Sequence, residues 1–197
     1  MKALRILIFV VVMGTVSGVM LVGVNSFTQP LILKNEELKL KSSVLEVLEI
    51  PYAKDNILIA FEDKIKVLTS DKYTFYRSVD NALAFEFYGP GLWGAISGLI
   101  SLEKDLKTIR KIKVTHQEET PGLGGRIAEE NYLKQFKNKE VIPKLIFTAE
   151  GKASQKNEVD AITGATGSSK AFEKLINENV QRYLSALKEI DHAQKTN

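Results

Sequence analysis

DAITGAT, residues Asp160 to Thr166, runs directly into GSSKAFEKLINENVQRYLSALKEI at 167–190. In the second stretch Phe172, Leu175, Ile176, Val180, Tyr183, Leu184, Leu187 and Ile190 recur at three- and four-residue spacing, which predicts an amphipathic helix from about Ser168 to Ile190. A helix with one apolar stripe must bury it against another layer. The chain offers such a layer upstream, where Leu83, Phe85 and Phe87 alternate with Ala84, Glu86 and Tyr88 until Gly89-Pro90-Gly91 ends the run. Segments 57–61, 65–68, 73–79, 96–102, 108–114 and 141–147 read as further strands, and 126–137 as a short helix. The fold class expected is α+β, one compact domain with an antiparallel sheet flanked by helices.

Before that domain lies ILIFVVVMGTVSGVMLVGV, Ile6 to Val24, with no charge in it. As a helix it is roughly 28 Å long, close to the roughly 30 Å of a bilayer's hydrocarbon core. A cleaved signal peptide has a similar basic start, but its apolar region is shorter and ends in a small-residue site that is missing here. Lys2 and Arg5 precede the run, so the positive-inside tendency keeps the N-terminus cytoplasmic and sends the remainder to the periplasm or exterior. The expected organisation is a cytoplasmic tail at 1–5, a transmembrane helix at 6–27, a stalk helix at 28–50, an exported domain at 51–191 and a disordered tail at 192–197. The expected location is the inner (plasma) membrane, with a single pass.

Composition narrows the chemistry. The 197 residues hold 27 basic and 24 acidic side chains, a net charge of only +3, which gives no electrostatic footprint for nucleic acid. With no cysteine, thiolate metal sites and iron-sulfur clusters are excluded, and the two histidines, His116 and His192, cannot supply a usual ligand set alone. Neither a metal nor a catalytic acid or base is expected, so redox work would need an organic cofactor.

The loop before the last helix carries the sharpest chemical signal. It delivers the hydroxyl of Thr166 to a helix N-terminus, where the backbone N–H groups of Gly167, Ser168 and Ser169 favour a phosphate. A hydroxyl there also serves as an ordinary helix cap, and the local chemistry leaves both readings open. Gly164 and Ala165 leave room for a bulky group to approach. Trp93, the only tryptophan, follows a glycine turn; it offers a flat apolar face for an aromatic ligand, or it is a core aromatic at a strand end. The run Glu119 to Gly124 bends around a ligand or is a plain surface turn. His116 bonds to a ligand or partner or is a polar strand-end residue, and Lys170 reads as a solvated helix residue in preference to a phosphate ligand, since cations are disfavoured near a helix N-terminus.

Three segments together resemble the FMN-binding domain family. Asp160 to Thr166 is similar to its flavinylation motif, Gly89-Pro90-Gly91-Leu92-Trp93-Gly94 to its Gly-x-Gly-Leu-Trp turn, and Glu119-Thr120-Pro121-Gly122-Leu123-Gly124 to its Glu-Thr-Pro-Gly-Leu-Gly loop, all in family order. The resemblance implies FMN joined covalently through its phosphate to Thr166 by a flavin transferase that uses FAD and reads Asp160. It implies that Thr163, Gly164, Ala165, Gly167, Ser168, Leu92, Trp93 and the 119–124 loop surround the cofactor. The branch most similar is the G subunit of Rnf-type ion-translocating ferredoxin:NAD oxidoreductases, which implies electron relay among other membrane subunits. The alternatives are the C subunit of sodium-translocating NADH:quinone reductases and an anchored scaffold domain without flavin. No Gly-x-Gly-x-x-Gly nicotinamide fingerprint is present.

Overall fold

The computed structural model describes residues 2–70 and 72–196, with side chains described as far as Ile190. The expected disordered tail, 192–197, lies outside the described side chains; as backbone, the last helix runs to Thr196. The chain forms two units, Met1–Leu40 and Lys41–Asn197.

The first unit is the apolar part of α1, Lys2–Val47. Its large apolar side chains from Leu4 to Leu33 are exposed, and it contains a segment long and apolar enough to cross a membrane. The hydroxyls of Thr15 and Thr28 donate to the carbonyls of Val11 and Val24 at 2.8 and 2.9 Å, so neither needs water. Pro30 lies inside the helix and does not end it. Anchor and stalk, expected as two elements, are therefore one, because a proline removes a single hydrogen bond from a long helix.

The second unit is built on five antiparallel strands in sequential order, β1 Ile65–Ser70, β2 Tyr73–Ser78, β3 Leu83–Pro90, β4 Ala95–Leu102 and β5 Ile109–Gln117. Against one face lies α4, Thr166–Thr196, whose stripe of Phe172, Leu175, Ile176 and Val180 shares a core with Phe75, Phe85, Phe87 and Ile100. Tyr183 stacks on Phe85 at 4.4 Å between ring centroids.

On the other face Ala84 and its register partner Ser101 are fully buried, and the Ser101 hydroxyl donates to the carbonyl of Val47. The last turns of α1 lie there, with Val44, Leu45, Val47 and Leu48 buried, and Arg110 donates to the Leu48 carbonyl at 3.1 Å. The compact unit thus begins at Lys41 and not at 51, since the end of the expected stalk is core. Segment 57–61, expected as a strand, is part of a helix, α2 Ile57–Lys64; a short apolar run fits either period. Region 126–137 is three short turns, 3-10 at Gly124–Ala128, α3 at Glu130–Leu133 and 3-10 at Lys134–Phe136. Of the expected strand 141–147 only β6, Ile146–Thr148, forms, paired in parallel with β7, Glu158–Asp160.

Candidate functional site

The β3–β4 hairpin closes with the Gly91 N–H donating to the Gly94 carbonyl at 2.7 Å, and this puts Leu92 and Trp93 at its tip. Trp93 is 73% exposed, so it is not a core aromatic. Two consecutive carboxylates at the end of β5 hold the tip. Glu119 Oε1 accepts from the N–H groups of Leu92 at 2.6 Å and Trp93 at 3.2 Å, and Glu118 Oε2 accepts from Ala95 N–H at 3.3 Å. The glycines make this possible: a Cβ at Gly91 would collide with Glu119, and one at Gly94 with Glu118.

The 119–124 loop is folded inward. Glu119 is buried, 4% exposed, and its N–H donates to Gln117 Oε1 at 2.6 Å. The Thr120 carbonyl accepts from Leu123 and Gly125, and Gly122 turns the chain at φ 74°. Thr120, Pro121, Gly122 and Leu123 are exposed, while Gly124 is buried against Ser168 and Glu119, where a Cβ would collide.

The acceptor loop meets both segments at the head of α4. Gly164 has φ 80°, the left-handed region where glycine is the natural occupant. A Cβ there would touch Leu123 Cδ2 at 3.5 Å, and one at Gly167 would lie 2.7 Å from Leu92 Cδ2. Leu92 and Leu123, both exposed, therefore flank the segment that carries Thr166, which is exposed itself. Ser168 is buried and donates to Glu119 Oε2 at 2.6 Å. Ser169 is buried too; its Oγ accepts from Ile162 N–H at 3.0 Å.

Capping differs from the sequence expectation. The first intrahelical acceptor is the Ala165 carbonyl, bonded by Ser169 N–H at 2.9 Å, so the cap position holds an alanine and neither Thr166 nor Ser168 caps. The Ser169 N–H is consequently engaged. In the first turn of α4 the N–H groups of Thr166, Gly167 and Ser168 have no hydrogen-bond partner among the described residues. This set fits an anionic phosphate on Thr166, and the exposed Leu92, Trp93 and Leu123 fit an apolar ring system beside it.

Asp160 occupies a supporting position. Its Oδ1 accepts from Lys152 and Ala153 N–H at 3.1 and 3.0 Å, and Gln135 brackets its backbone at 2.7 and 3.2 Å. Nearby Tyr132 has a buried hydroxyl with no partner, and its phenol is pushed up by burial, with the Asp160 charge adding. Thr163 and Lys170 are exposed, and His116 pairs with Glu118 at 3.3 Å, on the hairpin side. Sequence reasoning missed Gln117, Glu118 and Gln135, and it read Ser169 as an amide donor and not as the side chain that accepts from Ile162 N–H; these side chains act on backbone groups and carry no pattern in sequence.

Residues 91–181 match the family described as FMN-binding domain. The G subunit of the proton-translocating ferredoxin:NAD(+) oxidoreductase complex of Clostridium ljungdahlii is 29% identical over 170 residues, covering 85% of this chain and 84% of that relative. The C subunit of the Na(+)-translocating NADH-quinone reductase of Haemophilus ducreyi is 34% identical over 123 residues, 57% of this chain but 48% of the relative, so the chain spans about half the length of that protein. The crystal structure of the corresponding C subunit from Parabacteroides distasonis superposes with a TM-score of 0.68 at 22% identity, covering 79% of this chain and 94% of that one.

Proposed function

We propose that this chain, whose residues 91–181 match the FMN-binding domain family, is a membrane-anchored electron-relay subunit that carries FMN esterified to Thr166. The single observation that carries the reading is an exposed Thr166 at the head of α4, beside three unclaimed N–H groups and between Leu92 and Leu123. When bound, FMN supplies the one- and two-electron chemistry. The chain's own residues bind and orient: the amides of Thr166, Gly167 and Ser168 meet the phosphate charge, and Leu92, Trp93 and Leu123 shield the ring from water.

Attachment requires a flavin transferase, because an unassisted threonine hydroxyl is a weak nucleophile. The Thr166 oxygen bonds to the flavin-side phosphorus of FAD, its proton passes to a base on the transferase, and AMP leaves. Asp160 serves that encounter by fixing the loop ahead of the acceptor. None of the chain's side chains acts as acid or base in the relay, and its partners are the other membrane subunits of a redox complex.

Among such complexes, the extent of the match favours the G subunit of the ferredoxin:NAD type, which aligns with 85% of this chain against 57% for the quinone reductase C subunit. The N-terminus is cytoplasmic and the domain lies on the outer face, periplasmic or extracellular, by the charge rule at Lys2 and Arg5. Co-expression with a transferase tests the linkage: the unaltered chain fluoresces after denaturing electrophoresis and gains the mass of FMN less one water. Flavin that persists in Thr166→Ala would refute the attachment point, and a bare polypeptide mass would favour the scaffold alternative.

A further inference from the structure

We infer that Glu119 is a positioning residue that ties the Leu92–Trp93 tip to the first turn of α4, and not a ligand of the flavin. Its two oxygens are filled by three protein donors, the N–H groups of Leu92 and Trp93 on Oε1 at 2.6 and 3.2 Å and the Ser168 hydroxyl on Oε2 at 2.6 Å. Backbone closes around it: Cβ atoms added at Gly91 or Gly124 would collide with the carboxylate. Successive amides aimed at one oxygen make an anion nest, and here an internal anion already fills it. A phosphate arriving at α4 therefore finds that nest occupied and the Thr166–Ser168 amides open.

The tie matters because its two ends lie on elements far apart in sequence. Residues 92 and 168 are joined through residue 119, which sets how Leu92 sits over Gly167 and how Trp93 stands beside the acceptor. Hydrogen bonds to a charged, buried acceptor are among the stronger ones, so the constraint is stiff. Released from it, the hairpin tip keeps the Glu118 bond at Ala95 and its own Gly91–Gly94 bond.

The maturation part of the test rests on Thr166 as flavin acceptor; the fluorescence part does not. Trp93 is the only tryptophan, so its anisotropy decay in the flavin-free full chain reports the tip alone. Glu119→Gln retains an oxygen for both amides and an amide that Ser168 can accept from, while Glu119→Ala leaves all three donors unpaired. Glu119→Gln keeps the Trp93 decay and attaches flavin within about twofold of the unaltered rate. Glu119→Ala gains a fast local Trp93 motion and attaches flavin about tenfold more slowly, equivalent to roughly 1.4 kcal/mol, with its far-ultraviolet dichroism unchanged. Should Glu119→Ala not fold, Ser168→Ala cuts one tie only and shows the same fast Trp93 motion at smaller amplitude.

Unchanged Trp93 motion in Glu119→Ala and in Ser168→Ala overturns the proposal. Equal impairment of Glu119→Gln and Glu119→Ala also overturns it, since charge and not the tie would then be what acts. If the unaltered chain takes no flavin, the covalent reading fails and Trp93 still decides the role of Glu119.

Discussion

At the level of single residues, the site separates backbone freedom from room for a side chain. Gly164 needs its positive φ of 80°, and a Cβ there would meet Leu123 only at 3.5 Å, so Gly164→Ala is a backbone strain with little clash. Left-handed backbone costs an L-residue about 1–2 kcal/mol, a fall of roughly 2–8 °C in Tm for a chain of this size. Gly167 is the converse. It sits in a helix, where alanine is favoured by roughly 1 kcal/mol, but its Cβ would push the end of Leu92 aside. Gly167→Ala is expected to hold or raise Tm while slowing flavin attachment; thermal denaturation beside a timed in-gel fluorescence assay separates the two, and normal attachment would show that Leu92 has no part in it.

Charge at the far end of the sheet makes a small contribution to acid sensitivity. Burial works against the Asp80 carboxylate, but the Arg110 guanidinium at 2.7 Å and the Ser78 hydroxyl outweigh it and hold its pKa down at about 2. A carboxyl held below its unfolded value contributes stability at neutral pH, and that contribution is lost as pH falls from about 4 toward 2. Asp80 is half exposed, so solvent screening keeps the effect small. Tm is expected to be lost more steeply between pH 4 and 2 in the unaltered chain than in Asp80→Asn; equal slopes would remove Asp80 from the account.

Among the elements, α1 is the one whose role changes most between sequence and structure. The alternation in β3 and the three- and four-residue stripe of α4 were legible because each has one face in the same core. The end of α1 was not legible, since Val44, Leu45, Val47 and Leu48 sit among charged residues whose partners lie in the folded domain, far along the sequence. Glu46 meets Lys111 at 3.3 Å and also bonds Lys113, and Lys137 reaches Glu49 at 2.5 Å. The acceptor loop and its two companion motifs were legible as segments. That one buried carboxylate joins them was not, because a glutamate in a loop looks the same whether it faces solvent or is buried.

This docking has a consequence for any soluble version of the domain. A chain beginning at Pro51 loses Leu45 and Leu48, each fully or almost fully buried. Large buried side chains contribute about 2–5 kcal/mol each, against a usual total of roughly 5–15 kcal/mol. The fragment from Lys41 is expected to give a cooperative thermal transition and the fragment from Pro51 none. A cooperative melt from the shorter fragment would mean that the last turns of α1 are dispensable.

For the molecule as a whole, the useful fact is the lack of cysteine, because each introduced thiol then reports alone. An exported domain lies outside the cytoplasmic FMN pool, so a flavin held only by weak contacts would be hard to replace; a covalent ester removes that loss while leaving the ring free for electron transfer. That advantage exists only for a domain on the outer side. Lys2→Cys and Lys188→Cys place one thiol before the apolar segment and one on an exposed turn of α4. A maleimide that cannot cross membranes should label Lys188→Cys in cells, as spheroplasts if an outer membrane is present, and reach Lys2→Cys only after lysis. The reverse pattern would put Thr166 on the cytoplasmic side, where FMN is replenished freely, and the reason given for a covalent tether would no longer hold.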